Sequence, residues 1–293
     1  MKYLKAYKTE QDYSNALQNN DVAYPSVNLV ADALVDYFPS IETNVPLYIE
    51  PLQSLEFTWF SPQGEAIQYS KDGNTWVTLQ SGQAFPIIYV GEKIYFKANL
   101  TAGNDGIGRF VDSYTIKRRF KTGGNIMSMV YKDNYKSNRV IPYDKCFKFF
   151  FYQLGVVDAS KLAIPANSMP EHCCTSMFKG CKNLVNAPSL PATTLADSCY
   201  RFMLCGCTSL VDAPSLPAIT LVDGCYNGLF EGCASLQYIK AMFTTAPSTT
   251  YTSGWVVGVP SGGKFVKNAA ATWANSFGDS AIPTGWTIEM GTI

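Results

Sequence analysis

The cysteines of this 293-residue chain are the residues whose spacing first suggests chemistry. There are nine, and six of them occupy two positions that recur every 26 residues: Cys173, Cys199 and Cys225, and Cys181, Cys207 and Cys233. His172, the only histidine, precedes the first of them, so zinc ligation is one interpretation. Structural zinc needs four converging ligands, and the later copies carry no histidine. We therefore interpret the cysteines as small buried core residues, with disulfides between successive repeats as the alternative, and predict no metal and no cofactor.

Catalytic residues are not evident in the sequence. Hydrolysis requires a nucleophile paired with a base, or two carboxylates facing one cleft. A Cys–His dyad would have to use His172, which adjoins repeat-core cysteines, and the carboxylates are scattered along the chain. The sequence therefore predicts a protein that is not an enzyme, without catalytic residues.

A polar stripe along the repeats is the candidate binding surface. Asp158, Asn186 and Asp212 follow the short apolar stretch of three successive copies. A solvated or turn-capping role is the default interpretation, and binding is the functional one. Tyr200 and Tyr226 could join this surface, although packing between successive copies is favoured for them.

The repeat itself predicts how these residues are positioned. A fixed period of this length is typical of a solenoid. Cys199, Met203 and Cys207 follow a helical spacing, Gly206 is placed to end the helix, and Leu210–Ala213 follows as a short strand. Pro214 and Pro217 limit that strand and turn the corner, because proline has no N–H to donate. The stretch 146–162 is a degenerate first copy.

The rest of the chain divides into recognisable segments. Residues 1–43 predict a small α/β module, in which a capping box at Thr9–Asp12 starts a helix. Residues 44–122 alternate in hydrophobicity with short turns, which predicts an immunoglobulin-like β-sandwich. The repeats occupy 123–243, and 244–293 is predicted to cap them. The predicted fold class is therefore mixed α+β, a β-sandwich followed by a short leucine-rich-repeat solenoid.

One hairpin has a catalytic association. Ser70–Trp76 resembles the Asp-box hairpin of sialidases and many other β-proteins, one residue short of its pattern. That resemblance implies a turn stabilised by its aspartate, away from any chemistry. A glycan-active enzyme is a less favoured function that rests on this hairpin alone.

Composition and charge exclude some partners. Formal net charge is zero, so no electrostatic footprint for nucleic acid or an anionic membrane is present. No apolar run is long enough for a membrane span. Met1–Lys8 carries charges where a secretory signal would be apolar.

The repeat unit from Cys199 to Leu221 resembles the BspA-type leucine-rich repeat of Bacteroides and related gut bacteria. The resemblance covers about residues 123–293 and implies an adhesion protein, located at the cell surface or outside the cell, that presents its repeats to a protein or a glycan. The opening Met1–Phe38 is similar to modules of Bacteroides surface and phage-associated proteins. The alternative function is therefore a phage or prophage component, structural or receptor-binding, and the alternative locations are a phage particle or the cytoplasm.

Overall fold

The computed structural model describes residues 42–114 and 117–292. These residues belong to a compact unit that runs from Glu42 to Ile293. The predicted N-terminal module, including its helix, lies outside the described residues except for its last two positions. No helix within the described ranges is long and apolar enough to cross a membrane.

Strands dominate the described residues. In chain order they are β1 (Leu47–Pro51), β2 (Thr58–Phe60), β3 (Ile67–Ser70), β4 (Val77–Leu79), β5 (Ile94–Lys97), β6 (Arg109–Val111), β7 (Arg119–Asn125), β8 (Gly155–Ala163), β9 (Tyr238–Ala241), β10 (Lys264–Asn268) and β11 (Thr287–Gly291). The helices are α1 (Ser128–Tyr131) and α2 (Thr249–Thr252), with short 3₁₀ turns at Glu42–Asn44 and Lys132–Asn134.

The strands form three sheets. The largest has the order β4-β3-β5-β1-β7-β8, and its pairs are antiparallel except β7 with β8, which is parallel. Strands β2 and β6 form an antiparallel pair, and β9, β10 and β11 form a parallel sheet. Strand β7 crosses the predicted boundary at 122/123, so the first sheet continues into the repeat region. The domain boundaries themselves stay predictions.

Aromatic side chains join the small β2–β6 sheet to the large one. Phe110 of β6 packs against Phe96 of β5 with ring centroids 5.0 Å apart, and Phe57 packs edge-on against Phe120 of β7 at 5.2 Å. Two layers around one aromatic core are compatible with the predicted sandwich, and its immunoglobulin-like topology stays a prediction. The sequence predicts a last strand of this segment at Ser113–Ile116, whereas the structure has β6 at Arg109–Val111.

The predicted mixed α+β class with a leucine-rich-repeat solenoid is wrong. The described residues are mostly β, in three sheets, and α-helix is confined to α1 and α2. The segment from Cys199 to Cys205, predicted as helix, consists of consecutive turns. Its short strand is also absent as a continuous element, since Asp212 makes only an isolated bridge with Tyr238.

Backbone geometry explains why no helix forms in the repeats. Every fourth residue has a positive φ, for example Ser198 at 55° and Phe202 at 53°, which a right-handed helix cannot contain. The cysteines still share one face because these turns repeat every four residues, and Cys199, Met203 and Cys207 are four apart. The spacing of four between these residues correctly predicted that they are buried together, but the helix predicted from it is wrong.

We call the segments 145–154, 172–181, 198–207 and 224–233 the turn ladder. Within a segment, an N–H bonds to the carbonyl three residues earlier, as from Met177 to Cys174 at 3.1 Å. Alternate N–H groups bond to the next segment, as from Cys174 to Cys199 at 2.8 Å and from Tyr200 to Cys225 at 3.1 Å. The backbone donors are thus divided between local turns and the neighbouring copy.

Residues with positive φ occur at matching positions of each segment. They are Lys145, Phe149 and Gln153; His172, Ser176 and Gly180; Ser198, Phe202 and Gly206; Gly224, Gly228 and Gly232. A left-handed conformation costs a non-glycine residue about 1–2 kcal/mol. Glycine therefore suits these positions, and it fills all three in the last segment.

The C-terminal residues form the parallel β9–β11 sheet. Within the predicted cap, the sequence predicts strands at Lys264–Val266 and Gly285–Glu289, and the structure confirms them as β10 and, nearly, as β11. The sequence also predicts a helical turn at Ala269–Ala274, which is not formed. Trp255 and Trp286 are buried, and the indole N–H of Trp255 donates to the Ala281 carbonyl at 2.7 Å. The sequence predicts that Trp255, Trp273 and Trp286 cover the last hydrophobic edge, and the burial of Trp255 and Trp286 confirms this for two of them.

Two glycines of equal φ allow the turn ladder to be tested. A Cβ at Gly228 would lie 2.1 Å from the Phe202 ring, whereas at Gly254 the nearest atom is a Val257 methyl at 3.5 Å. Both have φ of +60°. We expect Gly254→Ala to lower the free energy of unfolding by about 1 kcal/mol. Gly228→Ala should lose a further 1–3 kcal/mol or so from overpacking. Denaturant unfolding measures both, and equal losses would contradict the packing of Phe202 over Gly228.

Candidate functional site

Two of the three predicted surface residues lie side by side. Asp158 of β8 and Asn186 are partners in an isolated parallel bridge, and Asp212 makes an isolated parallel bridge with Tyr238 of β9. The Asp158 carboxylate accepts the N–H of Ser160 at 2.9 Å, which is a turn-capping role. Binding at these three residues stays a prediction.

Tyr200 and Tyr226 are core residues. Their rings are buried and stacked with centroids 6.0 Å apart and 8° between their planes. The favoured interpretation, packing between successive copies, is confirmed. Burial raises the pKa of both phenols well above its ordinary value. Neither side chain belongs to an accessible binding surface.

The repeated cysteines line the interior of the turn ladder. All nine thiols are unpaired and buried, so the core interpretation is confirmed and the disulfide alternative is wrong. Thiols at the second repeated position donate to backbone carbonyls of the preceding copy, as from Cys207 to Phe178 at 3.3 Å and from Cys233 to Leu204 at 3.2 Å. Within residues 42–114 and 117–292, no three His, Cys, Asp or Glu side chains are grouped so as to hold a metal ion.

In the hairpin that resembles an Asp-box, the aspartate Asp72 forms hydrogen bonds within its own turn. The Asp72 carboxylate accepts the N–H groups of Asn74 at 2.8 Å and Thr75 at 2.7 Å, and the hydroxyls of Ser70 and Thr75. These hydrogen bonds, led by that from the Thr75 N–H, hold the pKa of Asp72 well below its ordinary value. The structural interpretation of this hairpin is confirmed.

A groove that the sequence did not indicate is a concave site in the described part of the chain. It lies between β6 with the residues that follow it and the first segment of the turn ladder, and has a volume of about 370 Å³. The lining residues are Arg109, Phe110, Val111, Asp112, Lys117, Phe149, Tyr152, Gln153 and Leu154. We call it the β6 groove.

Local structure places the aromatic wall of the β6 groove. The Phe149 and Tyr152 rings are half-buried and meet edge to face, with centroids 5.4 Å apart. The backbone N–H of Phe149 donates to the Thr175 carbonyl at 3.1 Å, and that of Gln153 to the Lys179 carbonyl at 2.9 Å. This wall is therefore fixed by the turn ladder rather than by a loop.

Charge is distributed unevenly along the β6 groove. Arg109 and Lys117 are cations, and Asp112 is the only carboxylate in the lining. Asp112 is 4% exposed, and its oxygens accept the N–H groups of Tyr114 at 2.9 Å and Arg118 at 3.1 Å. Asp112 is thus engaged with the backbone, and Lys117 donates to the Asp112 carbonyl, so Arg109 is the charged lining residue whose side chain has no hydrogen-bond partner among the described residues.

One sequence signal could have revealed the β6 groove. Gln153 occupies the position that glycine holds in the three later segments, at Gly180, Gly206 and Gly232. The sequence marks 146–162 as a degenerate first copy, and a terminal repeat is expected to be atypical because it caps an open end. Arg109 gave no comparable signal, because its approach to residues 149–154 is decided by tertiary packing.

Comparisons with protein-family models, with curated proteins and with solved structures found no match to this chain.

The thiols provide a test of the turn-ladder interior. Burial raises the pKa of Cys181 to about 12 and that of Cys225 to about 11, so both remain protonated at neutral pH. We expect the thiol reagent DTNB to react with almost none of the thiols in the native protein. In guanidinium chloride, the same protein should release the equivalent of nine thiols. Rapid native reaction of several thiols would contradict the burial described above.

Proposed function

We propose that this protein is a non-enzymatic binding protein whose β6 groove takes up part of a glycan or of a partner protein. The observation that carries the proposal is the groove itself, whose lining combines the aromatic residues Phe149 and Tyr152 with Gln153 and Arg109. Ligand sites in proteins are concave, with volumes of about 300–1,000 Å³, and combine apolar walls with a few polar groups. The β6 groove has that composition and lies within that range.

The rigidity of the groove supports recognition. Beneath it, Phe110 packs against Phe150 with ring centroids 5.5 Å apart, and Phe150 packs against Phe151 at 4.9 Å. These rings are buried, and the wall residues above them are held by backbone hydrogen bonds. A site that is already ordered loses less conformational entropy on binding.

The state of Asp112 favours binding over catalysis. A general acid or base has to exchange a proton with the substrate, and hydrolysis of a glycosidic bond uses two carboxyl groups. Both oxygens of Asp112 accept backbone N–H groups, which orients the carboxylate toward its own turn. The groove therefore offers contacts for a ligand without a second carboxylate in its lining.

A matched pair of tyrosine variants tests the proposal. Tyr152 lines the groove, whereas Tyr89, 57% exposed, does not. We expect arrays of glycans and of immobilised extracellular proteins to contain a ligand whose affinity falls about tenfold or more in Tyr152→Ala, because an aromatic contact is lost. Tyr89→Ala should bind as the unchanged protein does. The proposal is wrong if no ligand is found, or if both variants bind every ligand equally.

The location proposed for this protein is the cell surface or the extracellular medium. It rests on the resemblance to BspA-type proteins, whose adhesins act there, and membership of that family also stays a proposal. Antibody detection in fractionated native cells, medium and induced phage particles checks it. We expect signal in the cell envelope or medium, and signal confined to phage particles would favour the alternative phage component instead.

A further inference from the structure

We propose that the β6 groove selects an acidic sugar, with a carboxylate on Arg109 and the sugar ring against Phe149 and Tyr152. The inference rests on the proposed binding function and names its ligand class. Three observations carry it: the unpaired guanidinium, the adjoining aromatic wall, and a strained residue kept in the lining.

Arg109 is positioned to meet an anion. Its guanidinium lies over the Phe60 ring, 5.2 Å from the centroid, and has no hydrogen bond or ion pair with any described residue. The nearest lining carboxylate, Asp112, is engaged by the N–H groups of Tyr114 and Arg118. A planar guanidinium binds a carboxylate through two parallel hydrogen bonds, and a low-polarity surrounding strengthens them. The lining therefore favours a negative ligand group at this end.

Lys117 adds to the preference of the groove for a negatively charged ligand group, and its ammonium does not take the place of the ligand. Its ammonium donates to the Asp112 backbone carbonyl at 2.5 Å, which keeps the positive charge next to the groove. The lining therefore carries two positive charges, on Lys117 and Arg109, and one negative charge, on Asp112. The field in the groove is consequently positive, although the whole chain has a formal net charge of zero.

The wall opposite offers what a sugar ring needs. Phe149 and Tyr152 present apolar rings with a polar hydroxyl at one edge, and Gln153 contributes an amide that both donates and accepts hydrogen bonds. A pyranose has C–H groups on its faces and hydroxyls on its edge. A cation, aromatic rings and an amide within one groove fit a ring that carries both hydroxyls and a carboxylate.

Gln153 is retained at a position where the backbone favours glycine. Its φ is +55°, and glycine fills the equivalent position in the later segments, where φ lies between 72° and 76°. Strained backbone residues cluster at functional sites; other side chains of the turn ladder, such as Ser176 and Ser198, are also left-handed, but they lie outside the groove lining. Gln153 lines the groove, and its backbone N–H donates to the next segment of the turn ladder. A glycine at this position would keep that backbone hydrogen bond and remove only the side chain.

The first experiment compares charged and neutralised forms of the same sugars. A panel of oligosaccharides bearing uronic or sialic acids is titrated beside the carboxyl-methylated form of each and beside poly-glutamate. We expect binding of acidic sugars that weakens at least tenfold on methylation and in Arg109→Gln. Rising salt should weaken it as well. Arg139→Gln, an exposed arginine outside the groove, should have no effect.

A second variant separates ligand recognition from folding. Gln153→Gly should raise Tm by about 2–4 °C because it relieves the left-handed strain, while lowering the affinity for the acidic sugar. Unchanged affinity in this variant, equal binding of methylated sugars, or tighter binding of poly-glutamate overturns the acidic-sugar inference. Neutral-glycan binding that depends on Tyr152 but not Arg109 would overturn it while leaving the proposed function intact. Absence of any ligand on the arrays would remove both.

Discussion

The hydrogen bonds between successive segments of the turn ladder are the constraint on which the repeat region depends. Each segment must offer alternate N–H groups to the next, as Ser176 does to the Arg201 carbonyl at 2.9 Å. That alternation requires a left-handed residue in every four. The chain consequently cannot form an α-helix there, and its side chains point inward at a period of four. Buried cysteines and stacked tyrosines follow from this backbone arrangement.

The same constraint makes the first segment different from the others. Later segments increasingly meet the left-handed requirement with glycine, which also makes room for a neighbour, as Gly228 does for the Phe202 ring. The first segment keeps Phe149 and Gln153 at such positions. It is also the segment that meets the aromatic core of the β-sheets, where Phe150 packs on Phe110. The left-handed residues Phe149 and Gln153 are therefore also residues that line the β6 groove.

Charge in the groove is determined by backbone geometry as much as by residue type. Asp112 lies only three residues from Arg109, and a direct ion pair between them would leave little for a ligand. Instead, the carboxylate accepts two N–H groups of the turn that follows β6, because a buried carboxylate is stabilised when its oxygens are hydrogen-bonded. The guanidinium is left over the Phe60 ring. Because these two neighbouring charges do not pair with each other, the groove is expected to prefer a negatively charged ligand group.

The sequence by itself determined the 26-residue period, the burial of the cysteines, most strands between Leu47 and Lys97, and the hairpin closed by Asp72. These features depend on local hydrogen bonds and on hydrophobic spacing, which a sequence displays directly. Only the tertiary structure decided that the Cys199–Cys207 spacing belongs to turns, since a spacing of four fits a helix and this ladder equally well. Only it placed Arg109 and Tyr152, more than forty residues apart in the chain, in the lining of one groove, because that placement depends on how the aromatic core packs β6 against the first segment.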